Sequence, residues 1–325
     1  MNRKLNWSHV PKPSLGITNV LSKQIADIER RQPGIIPDLR NGQSLFIASD
    51  YGGHHSKAGH QILSFLITDN YSTPTWLMLQ KFFRELYLAG YPRRISYKAI
   101  HDGVIARSLE QFLTLADTIN GILFTIAIDK RIEYIVLKEN DKQIPSQLKD
   151  WKISVYEKML RIINIISMLV AGLSAPGQDV YWLTDEDDIV ANESRTDDLL
   201  WVLRQILIQY LTHPLRDIFI STTAGDNEFA AEDLAAIPDL IAGCLSDVLT
   251  INTPDQRTAS TTIIHPTNMN CSAKADKILK WYLQTDQPLR RLLCEIGPAN
   301  EPSQYAIYWR EFITYKSPNS YYILG

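Results

Sequence analysis

Two short apolar segments that each end in an aspartate constrain the fold of this chain most strongly. The first is residues 44–50, which is stopped by Tyr51-Gly52-Gly53, and the second is residues 179–185. A short apolar run bounded by turn residues is typical of a buried central strand. Because ligands of α/β sheets usually bind at strand ends, we expect Asp50 and Asp185 to lie in a functional site.

The segments between and after these two predict alternating strands and helices. Further strands are predicted at 60–68, 94–100, 122–128 and 217–222, and helices at 20–31, 75–88, 108–119, 148–173, 197–211 and 232–249. Strands that come first, followed by helices between the later strands, are typical of a mixed sheet with α/β crossovers. The predicted fold class is therefore α/β, with one mixed sheet flanked by helices.

The two ends of the chain differ in character from its middle. Residues 1–42 carry four prolines around one short helical pattern, which predicts an N-terminal arm rather than a core layer. Residues 43–250 carry the regular pattern and form the predicted main domain. Residues 251–325 begin with a segment rich in threonine and proline, and a helical stretch is expected at 273–293. We interpret them as a helical C-terminal appendage.

Charge and cysteine content limit the class of protein. The 33 basic and 36 acidic residues give a net charge of -3, so nucleic acid would have to be held by a local patch. The three widely spaced cysteines form no CxxC pair, which favours reduced thiols.

The basic residues near Met1 precede no apolar run, and the longest apolar stretch, 162–173, is shorter than the roughly 20 residues of a membrane span. We expect a cytoplasmic protein without a membrane segment.

A third acid, Asp239, is a lone charge in the otherwise apolar segment 235–243. Hydrolysis of a phosphodiester with two Mg²⁺ ions requires several hard oxygen ligands that converge within a few ångströms. Carboxylates at neighbouring strand ends, joined by Asp239, would meet that requirement.

The order of elements and three short motifs together resemble the RNase H-like fold. More narrowly, the chain resembles the domain-of-unknown-function 3800 family, whose members begin with an apolar strand ending in Asp-Glu-Ser-Gly and finish with an Ala-Asp-Leu-Ile-Ala-Gly helix. The corresponding motifs here are Ser49-Asp50-Tyr51-Gly52-Gly53, Thr184-Asp185-Glu186 and Pro238-Asp239-Leu240-Ile241-Ala242-Gly243. The resemblance covers residues 43–250, which would then be an RNase H-like domain.

The resemblance implies a metal-dependent nuclease that acts on DNA or RNA, with a role in bacterial phage defence. Asp50, Asp185 and Asp239 would be the catalytic residues and the ligands of Mg²⁺ or Mn²⁺. Many relatives carry a Glu-x-Lys near the third strand, whereas this chain has Ser96-Tyr97-Lys98, so one acid is missing. Four further residues are auxiliary candidates. Asp187 or Asp188 could replace the missing acid as a metal ligand. His54 could act as a general acid or base, and Lys98 could contact a phosphate.

Each candidate also has an ordinary structural interpretation. Asp50 could cap the turn before the glycines, residues 185–188 could form a solvated acidic loop, and Asp239 could cap a helix. Lys98 could lie on a solvated strand edge, and His54 in a surface loop. His54, His55 and His60 lack zinc-ligand spacing, and no dinucleotide fingerprint, P-loop or nucleophile elbow is present.

A second function therefore stays open, that of a non-catalytic RNase H-like scaffold or binding subunit. The arm or the appendage would then bind a protein partner or a second copy. The aromatic residues of the tail could pack on the main domain or stack on bases; they are Tyr305, Tyr308, Trp309, Phe312, Tyr315, Tyr321 and Tyr322.

Overall fold

The architecture is a seven-stranded mixed sheet with helices on both faces. The structure, a computed structural model, describes residues 5–70, 73–89, 93–136, 144–185, 187–222, 229–251, 270–284, 286–298 and 305–310. The strands are β1 (Ser44–Gly52), β2 (His60–Asp69), β3 (Gly121–Asp129), β4 (Asp179–Thr184), β5 (Ile218–Ser221), β6 (Leu289–Pro298) and β7 (Tyr305–Arg310). Their order across the sheet is β5-β4-β1-β2-β3-β6-β7. The predicted α/β class with a mixed sheet is confirmed.

The described residues form seven α-helices, which divide between the two faces of the sheet. They are α1 (Ile17–Arg31), α2 (Thr73–Tyr87), α3 (Gly103–Ala116), α4 (Ile153–Leu173), α5 (Glu193–Tyr210), α6 (Ala230–Ile251) and α7 (Ala273–Tyr282). The first core lies between the sheet and α1, α4 and α5, and the second core lies between the sheet and α2, α3, α6 and α7. Both faces are apolar, which explains why the strands have near-continuous apolar runs.

The pairing of the strands places the predicted acids at one edge. β1, β2 and β3 form an antiparallel meander, whereas β4 runs parallel to β1 and β5 runs parallel to β4. The carboxyl ends of β1 and β4 therefore lie at the same edge of the sheet. β6 pairs in parallel with β3, and β7 closes the row antiparallel to β6.

The segment 94–100, predicted to be a strand, is not one. Its first residues are irregular, and a 3₁₀ helix follows at Lys98–His101. Ile95, Tyr97 and Ile100 are buried in the second core instead of joining the sheet. Lys98 therefore does not lie on a strand edge, although it is exposed.

The C-terminal region differs from the predicted appendage. Only the first half of the stretch 273–293 is helical, as α7, and the second half is the buried strand β6, which pairs with β3. The region thus completes the sheet rather than lying outside it. Of the aromatic tail, Trp309 packs on Phe124 with ring centroids 6.1 Å apart. Phe312, Tyr315, Tyr321 and Tyr322 lie outside the described residues.

The N-terminal region also differs from the predicted arm, because its residues from 5 to 42 contribute to the first core. α1 packs on α4, and Trp7 is buried against Gly172, where an added Cβ would lie 2.4 Å from the ring. The Trp7 indole nitrogen donates to the carbonyl oxygen of Ser22 at 2.9 Å. This region is a layer of the fold.

One helix among the described residues, α6, is long and apolar enough to meet the criterion for a membrane span, with a mean hydropathy of 1.7. It packs across β1 and β2, and Leu240, Ile241 and Leu245 on it are fully buried. In this fold α6 is a core helix, which accounts for its hydropathy without a membrane.

Candidate functional site

Asp50 points toward the face of the sheet that α6 covers. Its neighbours Ser49 and Tyr51 point to the first core, where the Ser49 Oγ and the Tyr51 hydroxyl are hydrogen-bonded at 2.8 Å. The indole nitrogen of Trp182 also donates to the Ser49 Oγ at 2.9 Å. Because side chains alternate along a strand, Asp50 lies on the opposite face. It is 8% exposed.

Asp185 lies next to Asp50 across the parallel strand pair. Ser49 pairs with Thr184 in the β1–β4 register, so the next residue on each strand brings Asp50 beside Asp185. Neighbouring strands are about 5 Å apart. The Thr184 hydroxyl is hydrogen-bonded to the Tyr51 hydroxyl at 3.1 Å on the first-core face, so Asp185 leaves the strand toward the same side as Asp50.

Two glycines let α6 approach this edge closely. A Cβ on Gly52 would lie 2.5 Å from the carbonyl oxygen of Ala242, so only glycine allows the present distance between β1 and α6. A Cβ on Gly243 would lie 2.3 Å from the ring of Tyr97, which therefore packs directly on the helix backbone. The close contact brings Asp239, one turn earlier on α6, to the end of β1.

Asp239 is held by a backbone contact. The amide of Tyr97 donates to its Oδ2 at 2.5 Å. α6 begins at Ala230, so Asp239 lies well inside the helix and is not a helix cap, which excludes that interpretation. Asp50 likewise does not cap the glycine turn, because none of the described backbone amides donates to its carboxylate.

The three predicted acids influence one another electrostatically. Burial raises the pKa of Asp50 well above its usual value, and the carboxylates of Asp239, Asp185 and Asp187 raise it further. Burial also raises the pKa of Asp239 to about 6, in part opposed by the Tyr97 amide and reinforced by Asp185. Like charges in a poorly solvated place disfavour ionisation of each other.

A divalent cation would relieve this repulsion, and the donor set fits one. Asp50, Asp185 and Asp239 offer only hard carboxylate oxygens, the donors that Mg²⁺ and Mn²⁺ prefer. Within the described parts of the chain none of the three forms an ion pair with a lysine or arginine. Among the described residues, no group of three acids, histidines or cysteines lies close enough together to form a metal site in this conformation.

Two cations, Lys98 and Arg94, act on the pKa values of the acid cluster. Lys98 lowers the pKa of both Asp50 and Asp239, and Arg94 lowers that of Asp239. Arg94 also lies 3.7 Å from Glu232 on α6. The 3₁₀ segment that replaced the predicted strand thus still brings Lys98 to the acids, where it remains a candidate contact for an anionic substrate.

Asp187, an auxiliary candidate, is engaged elsewhere. Its carboxylate pairs with Lys158 of α4 at 2.6 Å and accepts the amide of Ile189 at 2.8 Å. Lys158 also lies 5.3 Å from the centroid of the Tyr51 ring, on the first-core face. Lys158 was not predicted from the sequence; the only signal was a lysine next to Glu157 in a mostly apolar helix.

Asp188 and His54 line a cavity of about 490 Å³ on the first-core side of the β1 turn. Asp188 is exposed there. A ring nitrogen of His54 lies 2.9 Å from the carbonyl oxygen of Tyr51, and burial together with Lys158 lowers its pKa. Both residues thus line a cavity on the first-core side of the sheet, whereas the Asp50 side chain faces the α6 side. Glu186 lies outside the described residues.

Comparison with known proteins adds no relative to this description. No protein-family model matches the chain, and no curated protein matches it.

Proposed function

We propose that this chain is a metal-dependent nuclease that cleaves phosphodiester bonds in DNA or RNA, on an RNase H-like fold. The observation that carries the proposal is the mutual electrostatic influence of Asp50, Asp185 and Asp239, three acids that form no ion pair with a lysine or arginine among the described residues. A cytoplasmic location and a role in phage defence belong to the same proposal and come from the family resemblance alone.

The topology of the first five strands supports the RNase H-like part. An antiparallel meander of β1, β2 and β3 is extended on the other side of β1 by the parallel strands β4 and β5. The acids leave the middle strand, its parallel neighbour and the helix after β5. β6 and β7 are additions beyond the β3 edge.

In this mechanism the residues of the chain have separate tasks. Asp50, Asp185 and Asp239 would hold Mg²⁺ or Mn²⁺, and the Tyr97 amide keeps the Asp239 carboxylate oriented. Lys98, exposed beside the acids, would contact the phosphate. The bound ion supplies activation of water and stabilisation of the charge that develops on the phosphate.

The test is a cleavage assay with end-labelled single- and double-stranded DNA and RNA, in Mn²⁺, in Mg²⁺ and in EDTA. We expect metal-dependent cleavage that falls by about 100-fold or more in Asp50→Asn, Asp185→Asn and Asp239→Asn. Asp150→Asn, at an exposed acid outside the site, is the matched control and should cleave like the wild type. Equal traces of cleavage in all lanes, or cleavage in EDTA, would contradict the proposal.

One observation favours the alternative of a binding subunit. α2 exposes Met78, Phe82 and Leu86, spaced four residues apart on one face, at 53%, 55% and 74%. An exposed apolar stripe of this kind marks a protein interaction surface. If the cleavage assay fails while the protein is folded, co-purification of a partner that is lost in Phe82→Glu would support this function.

A further inference from the structure

A row of three aromatic rings crosses β1, β4 and β5. Phe46 pairs with Tyr181 in the β1–β4 register, and Tyr181 pairs with Phe219 in the β4–β5 register. The ring centroids are 5.3 Å and 4.8 Å apart, with interplanar angles of 26° and 16°, so the rings form one continuous stack. We call Phe46, Tyr181 and Phe219 the aromatic row.

The aromatic row lies on the same face of the sheet as the acids. Along β1, Phe46 precedes Asp50 by four residues, and along β4, Tyr181 precedes Asp185 by four residues, so side-chain alternation puts all four on one side. Four residues of strand span about 13 Å. That length corresponds to about four stacked nucleotides.

Two of the three rings of the aromatic row, Tyr181 and Phe219, are exposed to solvent. α6 covers this face over β1 and β2, whereas Tyr181 on β4 is 37% exposed and Phe219 on β5 is 42% exposed. β5 is the edge strand of the described sheet, so no further strand among the described residues covers the outer face of the Phe219 ring. A planar ligand could continue the stack there.

Cations lie at both ends of the path from the aromatic row to the acids. Arg216 pairs with Asp179, two residues before Tyr181 on the same face of β4, yet the Arg216 side chain is 58% exposed. Lys98 lies beyond the row, beside Asp50 and Asp239. A polyanion that follows the path would meet a guanidinium first, then the aromatic row, then the acids with their ion and Lys98.

We propose that the aromatic row binds the unpaired bases of a single-stranded nucleic acid whose backbone continues to the acids. This inference rests on the proposed nuclease function and names its substrate class. Bases inside a duplex already stack on each other, whereas unpaired bases stack on aromatic side chains with little regard to sequence.

A second copy of the chain is the rival occupant of this surface. β5 has four residues and is preceded by the charged Arg216 and Asp217, and short edge strands flanked by charges resist pairing with another sheet. The extended sheet of a dimer is therefore less favourable here than a bound strand of nucleic acid.

Fluorescence anisotropy in EDTA, where cleavage is blocked, tests the inference. The ligands are a labelled oligonucleotide of about 12 nucleotides, an abasic strand of the same length and a duplex of the same sequence. We expect Tyr181→Leu and Phe219→Leu to weaken binding of the single strand by about fivefold to a hundredfold, the range for loss of one stacked base. Trp201→Leu, at an exposed ring on α5 over the opposite face of the sheet, is the matched control and should bind like the wild type.

Several outcomes would overturn the inference. Equal affinity in the wild type and both row variants excludes stacking on the row, as does equal loss of affinity for the abasic strand. A dimer in light scattering that dissociates in Phe219→Leu would assign the surface to a second copy.

The inference and the nuclease proposal fail separately. If Asp50→Asn loses cleavage while the row variants bind normally, only the inference is wrong. If no form cleaves nucleic acid but the row variants lose single-strand binding, only the nuclease proposal is wrong.

Discussion

Gly52 at the end of β1 lies directly against Ala242 of α6, with its α-carbon so close that a Cβ would be 2.5 Å from the Ala242 carbonyl oxygen. This contact determines how near Asp239 comes to Asp50. Because the obstacle is backbone on both sides, it cannot move aside as a flexible side chain would.

Gly52→Ala should therefore separate β1 from α6. Overpacking of this kind costs about 1–3 kcal/mol, and we expect a lower free energy of unfolding in urea together with weaker Mn²⁺ binding. Gly59→Ala, where a Cβ meets nothing within 4 Å, is the control and should change neither quantity. Unchanged stability in Gly52→Ala would show that the contact is looser than described.

The stability of the metal-free protein should fall as pH rises. The folded-state pKa of Asp239 is raised from 3.8 to about 6, so the folded state binds the proton more tightly than the unfolded state between these values. Above pH 6 the ionised carboxylate destabilises the fold, by on the order of 3 kcal/mol. Asp239→Asn, which keeps an oxygen for the Tyr97 amide, should raise Tm by about 4 °C at about pH 8, because a chain of 325 residues has a large entropy of unfolding.

The same variant provides its own control at lower pH. At about pH 5 the wild-type carboxyl is mostly protonated, so the Tm difference between wild type and Asp239→Asn should shrink. A constant difference at both pH values would mean that Asn stabilises by packing, and that charge repulsion is not the cause.

Mn²⁺ should stabilise the wild type and should do so less at acidic pH. A ligand that binds only the folded state at 100 times its Kd adds about 2.7 kcal/mol, which calorimetry detects as a rise in Tm. Protons compete for Asp50 and Asp239, so the rise should be smaller at about pH 5 than at about pH 8. The rise should vanish in Asp50→Asn and persist in Asp150→Asn; persistence in both would place the ion elsewhere.

The pair of Lys158 and Asp187 should contribute to stability and not to metal binding. Its side chains are 13% and 18% exposed, so Lys158→Met leaves a poorly solvated carboxylate and should cost about 1–3 kcal/mol. A double-mutant cycle with Asp187→Asn should show coupling, whereas the exposed pair Arg30 and Asp27 should show about 0–1 kcal/mol. Loss of Mn²⁺ binding in Asp187→Asn would contradict this prediction and would indicate that Asp187 is a metal ligand.

The strands that carry two of the acids were predictable from sequence. Each is a short apolar run that ends in Asp, and a buried sheet requires such runs, so β1 and β4 followed from pattern alone. The two acids Asp50 and Asp185 lie on one face because β1 and β4 pair in a parallel register, and a local sequence pattern does not predict that register. The role of Gly52 as the contact with α6 depends on tertiary packing as well.

β6 was missed because its apolar residues fit a helix. Leu289, Leu292, Leu293 and Ile296 have the i, i+3, i+4, i+7 spacing, and two arginines lie between them. The strand buries Arg291 by pairing it with Asp117 and placing its guanidinium 4.5 Å from the centroid of the Trp281 ring. Because the partners of Arg291 are distant in sequence, a local pattern does not predict that this arginine is buried or that β6 is covered on both faces.

The pairing of β3 with β6 has a consequence for synthesis of the protein. About 160 residues separate the end of β3 at Asp129 from the start of β6 at Leu289. At about 5–20 residues per second a ribosome needs roughly 10–30 s to bridge that interval. During that interval the nascent chain carries an apolar strand with one unpaired side, so we expect early termination products to be captured by chaperones or degraded rather than to accumulate as folded protein.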